Sequence, residues 1–318
     1  MRRCKVIVCQ INEDNPAAIG NIVNQYVDIH EPEIMVLLGD RWETLGAAYI
    51  AACWRIPICH IHGGESTWGA MDDSMRHAIS KLSHIHCVAN TQFAETLRNM
   101  GERNIYITGA PGLDNLRPII DEVPSLNEAK KNNSTGDESY FVCTYHPETL
   151  GDDTGLTEMI EAIKKWKRID GDDFYWTGVN NDPESDAIRN MIESSGAGEV
   201  VEWSLTEYLT RCRKAWGVVG NSSSGIIEAP YLGVPTVNIG QRQAGRPMGR
   251  SIYNPDDDRD SIYSAFIDCM SHGWAGDDMP CRGYDQLYGS IDGQNSSEIA
   301  QIIASVSLED ILRKPWHI

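Results

Sequence analysis

Short runs of aliphatic and β-branched residues alternate along this chain with longer stretches whose apolar positions recur every three to four residues. Residues 5–9, 34–38 and 56–61 read as strands, and 16–29 and 43–53 between them as helices. The alternation resumes with a strand at 84–88, a helix at 91–100 and a strand at 105–108, after which Gly109 and Gly112 punctuate a turn. This order is the sequence form of a parallel sheet with crossover helices.

Residues 121–138 (DEVPSLNEAKKNNSTGDE) are polar and turn-rich, as links between domains are. A second series follows, with strands at 140–144, 174–177, 200–202, 215–219 and 236–239 and helices at 156–168, 187–195, 206–214 and 224–232. Residues 296–305 and 308–312 read as closing helices. The expected architecture is α/β with two Rossmann-like domains, residues 1–120 and 121–305, the C-terminal helix 306–318 joining the first.

Composition narrows the function classes. The chain has 318 residues with 27 Lys and Arg against 46 Asp and Glu, a formal charge of −19 that repels a phosphate backbone, so general nucleic-acid binding is not expected. No stretch approaches the ~18 apolar residues of a membrane span. The opening MRRCKVIVCQ turns polar at Asn12 before a signal-peptide core forms, so a cytoplasmic location is expected. Nine scattered cysteines without a CxxC pair imply neither a disulfide framework nor a zinc ribbon.

In such domains ligands collect at the carboxyl ends of the strands, and four polar clusters stand there. Asp40 and Arg41 follow the run IMVLL; Asp40 either faces the ligand or caps the next helix. HIHGGE at 60–65 precedes Asp72 and Asp73 on what reads as a loop. Alternation puts His60 and His62 on one face, a spacing that serves zinc or a metal-free site alike. Glu65, Asp72 and Asp73 near one another can raise each other's pKa into the range of proton transfer, or one aspartate can cap a helix. His146, in YHPET, can donate to a phosphate or shuttle a proton, or be a turn residue before proline.

Residues 220–228 (GNSSSGIIE) join a strand to a helix, where Ser222, Ser223 and Ser224 form an anion site at the helix start and Glu228 suits ribose hydroxyls. A serine-rich helix cap is the plainer alternative. Arg242, Arg246 and Arg250 follow as a cationic run in a very acidic chain, either for an anion or as a solvated face. The acidic 256–260 reads as a solvated turn.

Taken together, LLGDRWE, HIHGGE with MDDSMRHAISKLSHIH, YHPET, GNSSSGIIEAP with GVPTVNIGQRQAGR, and YGSIDGQNSSEIA resemble the UDP-N-acetylglucosamine 2-epimerases, most closely the hydrolysing branch that opens sialic and legionaminic acid synthesis. The resemblance implies a glycosyltransferase-B fold that clamps UDP between its domains, chiefly by the second. It implies that Ser222, Ser223 and the following backbone hold the diphosphate, Glu228 the ribose, and Arg242 and His146 the phosphate side, with Arg41, His62 and Ser224 also binding substrate. The implied reaction removes the proton at sugar C2, expels UDP to leave a 2-acetamidoglucal and adds water, giving N-acetylmannosamine. Asp40, Glu65, Asp72, Asp73 and His146 are the implied catalytic residues, with no metal and no cofactor.

Two departures accompany the match. Many relatives carry glutamate where this chain has His62, and the family's usual opening strand, with its Gly-Thr/Ser-Arg turn, has no counterpart before residue 4. The first domain is therefore expected to lack that strand. The non-hydrolysing sister reaction, a nucleotide-sugar binder without turnover and an HxH metallohydrolase are the competing functions. Exposed strand edges and the habit of relatives point to a homo-oligomer, dimer or tetramer.

Overall fold

The structure, a computed structural model, describes residues 5–11, 15–68, 71–124, 140–148, 154–178, 185–272 and 287–314. Residues 125–138 of the expected link lie outside them. Two compact units divide the chain, one comprising residues up to Thr67, Met71–Asp114 and those from Tyr288 onward, the other Asn115–Leu287 with 68–70.

The first unit is built on four parallel strands, β1 (Met35–Leu38), β2 (Ile58–Ile61), β3 (Ile85–Val88) and β4 (Ile105–Ile107), in that spatial order. β2 and β3 are wholly buried, as central parallel strands covered on both faces must be. Helix Pro16–His30 presents Ile19, Val23 and Val27, four residues apart, to Ala47, Ala48 and Ala51 of helix Trp42–Cys53, whose small side chains let the helices approach closely.

Three expectations are corrected here. Residues 5–9 form no strand: Val6 and Val8 are 82% and 78% exposed, because a β-branched run becomes a strand only where an edge pairs its backbone, and β1 takes no partner from it. Residues 308–312 form turns rather than a helix, since five residues barely nucleate one and Asp310 takes a left-handed φ of 55°. Helix Asn295–Ser305 belongs with the first unit, whereas the expected boundary ran to 305. Its start is capped from far along the chain: Asp114 accepts from Asn295 N at 3.2 Å, Asn295 Nδ2 at 2.6 Å and Ser296 N at 2.8 Å.

The chain's last described residue is tied into this unit by charge. Glu102 accepts from Lys81 at 3.0 Å and from Lys314, and lies 3.3 Å from the buried His86. Burial alone would raise its carboxyl pKa; these three partners outweigh that and bring it to about 2.

The second unit has six parallel strands in the order β10-β9-β8-β5-β6-β7: β5 (Tyr140–Thr144), β6 (Asp173–Thr177), β7 (Glu199–Val201), β8 (Gly217–Gly220), β9 (Thr236–Asn238) and β10 (Ile252–Tyr253). Phe141 stacks on Phe174 with ring centres 5.0 Å apart, and Trp166 and Phe266 close the cluster from helices Thr154–Ile169 and Arg259–His272. The expected helix at 224–232 is only Ser224–Ile227, followed by turns, because Pro230 disfavours helical backbone at the residue before it and cannot donate. The acidic 256–260 starts helix Arg259–His272: Asp258 accepts from Asp260 N and Ser261 N, both at 3.0 Å.

Among the described residues no helix is long and apolar enough to cross a membrane.

Buried imidazoles set a pH limit on the first unit. Burial lowers the pKa of His60 and His84 from 6.5 to about 4, and that of His86 as well. A folded-state pKa below the unfolded one means that only the unfolded chain takes the proton between the two values. Stability is therefore expected to fall as pH drops from about 6.5 to about 4, with His60 alone linked to roughly 3 kcal/mol. Urea midpoints across that window should decline, and decline less in His60→Gln; a midpoint flat from 6.5 to 4 would contradict this.

Candidate active site

Chemistry in the first unit gathers around one buried cation. Arg76, 1% exposed in helix Asp72–Leu82, donates through Nη1 to Asp73 Oδ1 at 2.7 Å and to the Glu65 carbonyl at 3.0 Å. Its Nη2 donates to Asp40 Oδ2 and to Thr67 Oγ1, the latter at 2.9 Å. The end of β1, the loop after β2 and the helix start are thus drawn onto one guanidinium, whose planar fork suits several acceptors at once. Asp73 Oδ1 also accepts from Thr67 N at 2.6 Å, pinning the loop's far end.

Asp72 and Asp73 do not lie on a loop and neither is the cap: they occupy the first helical turn, with Met71 at the N-cap. That places two carboxylates at the positive end of the helix dipole. Asp40 does not cap the helix that follows it, whose N-cap residue is Arg41. Arg41 itself pairs with Glu43 at 3.1 Å.

His60 fixes the turn that carries Asp40. Its ring lies within hydrogen-bond reach of Ser80 Oγ (Nδ1, 3.0 Å) and of the Gly39 carbonyl (Nε2, 2.8 Å), so both nitrogens serve the fold rather than pairing with His62 as ligands. Being neutral, the ring donates to the carbonyl and accepts from the serine. His62 Nδ1 stands 2.6 Å from Oε1 of Glu65, which is 2% exposed. Gly64 makes that reversal possible: its φ is +77°, and a Cβ there would meet the Phe93 carbonyl at 2.4 Å.

The second unit centres on a buried amide. Asn221, after β8, accepts from His146 N at 2.7 Å and returns a bond from Nδ2 to His146 O at 2.8 Å. Its own carbonyl accepts from Gln243 Nε2 at 2.7 Å and Arg242 Nη1 at 3.3 Å, and Glu148 Oε1 accepts from Arg242 N at 3.3 Å. The loops after β5, β8 and β9 are thereby held together, with His146 buried and Arg242 half-buried. Gly220 is obligatory at this junction, since a Cβ would fall 1.9 Å from Thr144 O.

Ser222, Ser223, Ser224 and Glu228 are all half-buried on the same turn. Ser224 Oγ accepts from Tyr208 at 3.0 Å. Because the helix beyond them is a single turn, little macrodipole reaches this site, and hydroxyls with the Arg242 guanidinium are left to meet an anion.

Arg76, Thr67 and Asn221 were not among the residues singled out from the sequence, and His60 was weighed there only as a possible ligand beside His62. A signal for Arg76 existed: it shares with Ile79 and Ser80 the buried face of an otherwise polar helix, three residues beyond Asp73.

The chain is similar to known proteins in both sequence and fold. The sequence profile of the UDP-N-acetylglucosamine 2-epimerases matches residues 14–304. A UDP-N-acetylglucosamine 2-epimerase of Neisseria meningitidis serogroup B is 34% identical over 265 residues, 81% of this chain and 69% of that protein. A UDP-N,N'-diacetylbacillosamine 2-epimerase (hydrolyzing) of Legionella pneumophila is 30% identical over 309 residues, 93% of this chain and 78% of that one. In two further relatives the matched part spans 60% and 61% of their length. Among solved structures, the Methanocaldococcus jannaschii UDP-GlcNAc 2-epimerase in complex with UDP-GlcNAc and UDP superposes with a TM-score of 0.72 at 16% identity, over 92% of this chain and 81% of that one. The fold is accordingly the glycosyltransferase-B type with two Rossmann-like domains. With the profile running through the carboxylate loops of one unit and the serine turn of the other, the chain belongs to the UDP-N-acetylglucosamine 2-epimerase family.

Proposed function

We propose that this chain is a hydrolysing 2-epimerase of a UDP-2-acetamido sugar. The observation that carries the reading is the division of labour between the units: one holds carboxylates on Arg76 and seats the His62 imidazole on Glu65, the other holds His146 and Arg242 on Asn221, directly before the serine turn. The second set suits a diphosphate and, through Glu228, a ribose; the first suits proton transfer at a sugar carbon. The hydrolysing outcome is favoured by relatives that carry that word in their names, from Campylobacter jejuni and Legionella pneumophila.

In this reading a base takes the proton from sugar C2, the C–H electron pair becomes the C1=C2 double bond, and UDP departs with the electrons of the C1–O bond. Water then supplies a hydroxyl to C1 and a proton to C2 on the opposite face. The products are UDP and the free 2-epimeric sugar. Asp40, Glu65, Asp72, Asp73 and His146 are the proton-transfer candidates, and Arg41, His62, Ser222, Ser223, Ser224, Glu228 and Arg242 the binding ones. The chain works in the cytoplasm, where UDP-sugars are made, as a homo-oligomer.

Proton NMR in D₂O with UDP-N-acetylglucosamine, and separately with UDP-N,N'-diacetylbacillosamine, should show free UDP and a manno-configured sugar deuterated at C2. A UDP-linked 2-epimer would instead establish the non-hydrolysing reaction, and binding without turnover would remove the enzyme reading.

Two substitutions separate the halves. Arg76→Lys cannot bridge four acceptors and is expected to lower kcat/KM at least ~100-fold in initial-rate assays while UDP affinity stays within about threefold. Asn221→Ala unlocks the loops that carry His146 and Arg242, and should weaken UDP binding about tenfold or more by calorimetry. Unchanged kinetics in the first, or unchanged affinity in the second, would refute these roles.

A further inference from the structure

The loop after β2 seats an imidazole on a buried carboxylate. His62 Nδ1 lies 2.6 Å from Glu65 Oε1, with the imidazole side chain 19% exposed and the carboxylate 2%. His62 holds a left-handed φ of 66°, a conformation that persists for a side-chain-bearing residue only where its surroundings over-determine it. They do so here: His62 N donates to Cys87 O at 3.1 Å on one side, and on the other the Gly63–Gly64 turn brings Glu65 back beneath the ring.

An ionised carboxylate only accepts, so Nδ1 carries the proton and the lone pair of the neutral ring is on Nε2. The neighbouring candidates are differently engaged. Both nitrogens of His60 hold the fold, and Asp40 and Asp73 each accept from Arg76. His62 is thus an imidazole that is oriented from behind and partly open in front, the arrangement in which a carboxylate makes a histidine a base.

We propose that His62 is the acid–base residue at the sugar and that Glu65 is a positioning residue that sets its tautomer. This reverses the roles drawn from the sequence, where Glu65 was the catalytic group and His62 a binding one, and it rests on the epimerase reading. Nε2 takes the C2 proton as the C1=C2 bond forms and UDP leaves with the C1–O electrons. The resulting imidazolium is stabilised by Glu65 and gives its proton to solvent at the exposed edge. The water added in the second half supplies the C1 hydroxyl and the C2 proton, so the balance closes on UDP and the epimeric sugar.

The test uses the full chain with UDP-N-acetylglucosamine and reads the tautomer independently of activity. Long-range ¹⁵N–¹H spectra should show His62 as the Nδ1–H tautomer, identified by its loss in His62→Gln, and Glu65→Leu should abolish that preference. His62→Gln should lower kcat for C2 deuterium exchange about 10³-fold with KM within about threefold. His62→Glu, the residue many relatives carry there, should recover at least about tenfold over His62→Gln. Glu65→Gln, which still offers an oxygen, should lower kcat by about 10–100-fold. An Nε2–H tautomer in the unaltered chain overturns the proposal whatever the activity. If the unaltered chain exchanges and His62→Gln exchanges as fast, the proposal falls and the epimerase reading stands; if the unaltered chain neither exchanges nor releases UDP, both fall.

Discussion

The site in the first unit depends on a single buried guanidinium. A charge withdrawn from water loses several kcal/mol of solvation unless its donors all find acceptors. Arg76 recovers much of that through Nη1 and Nη2, which reach Asp40 after β1, the Glu65 carbonyl and Thr67 on the loop after β2, and Asp73 at the helix start, while Nε makes no hydrogen bond. The requirement works in both directions: the arginine is tolerable inside only if these loops converge, and they converge because it is there. Carboxylates that would repel one another in so acidic a chain are thereby held together at the carboxyl edge of a parallel sheet.

Asn221 solves the same problem in the second unit without charge. Its amide matches the N–H and C=O of His146 as a peptide group would, while its own carbonyl receives Gln243 and Arg242. Buried polar groups in a low-dielectric interior must be satisfied, and a satisfied network is rigid. In both units the groups suited to touch a ligand are arranged by a buried residue behind them, so ordering is completed on folding rather than on binding.

Much of this was legible in the amino-acid sequence. The period-two runs and helical repeats located most strands and helices, and the rule that ligands gather at strand ends selected Asp40, His62, Glu65, His146 and the serine turn. What stayed hidden were features set by contact rather than by pattern. Residues 5–9 have the composition of a strand but find no pairing edge. Helix Arg259–His272 was missed although Ile262, Ala265, Phe266 and Cys269 repeat correctly, because the acidic stretch before it reads as a loop and is in fact its cap. Asn221 looks like an ordinary turn residue until its burial is known, and Arg76 shows only its helical spacing from Asp73 and Ile79, since a linear pattern does not count the acceptors a polar side chain will meet.

The histidine at position 62 gains its meaning from this local electrostatics. Glu65 stands beside it, and Arg76, which donates to the Glu65 carbonyl, also holds Asp40 and Asp73. A carboxylate at 62 would add a further negative charge in a pocket intended, on the epimerase reading, for a sugar that already carries a diphosphate. A neutral imidazole can accept a proton without contributing that repulsion in its resting state, and becomes cationic only as the leaving diphosphate gains charge. Glu65 then answers the new cation from a fixed distance, so the charge that develops is met by one already in place, with no reorganisation of the loop. That the backbone sustains a left-handed histidine and an obligatory glycine two residues on is the structural condition for this pairing, because any straighter path after β2 would carry Glu65 away from the ring.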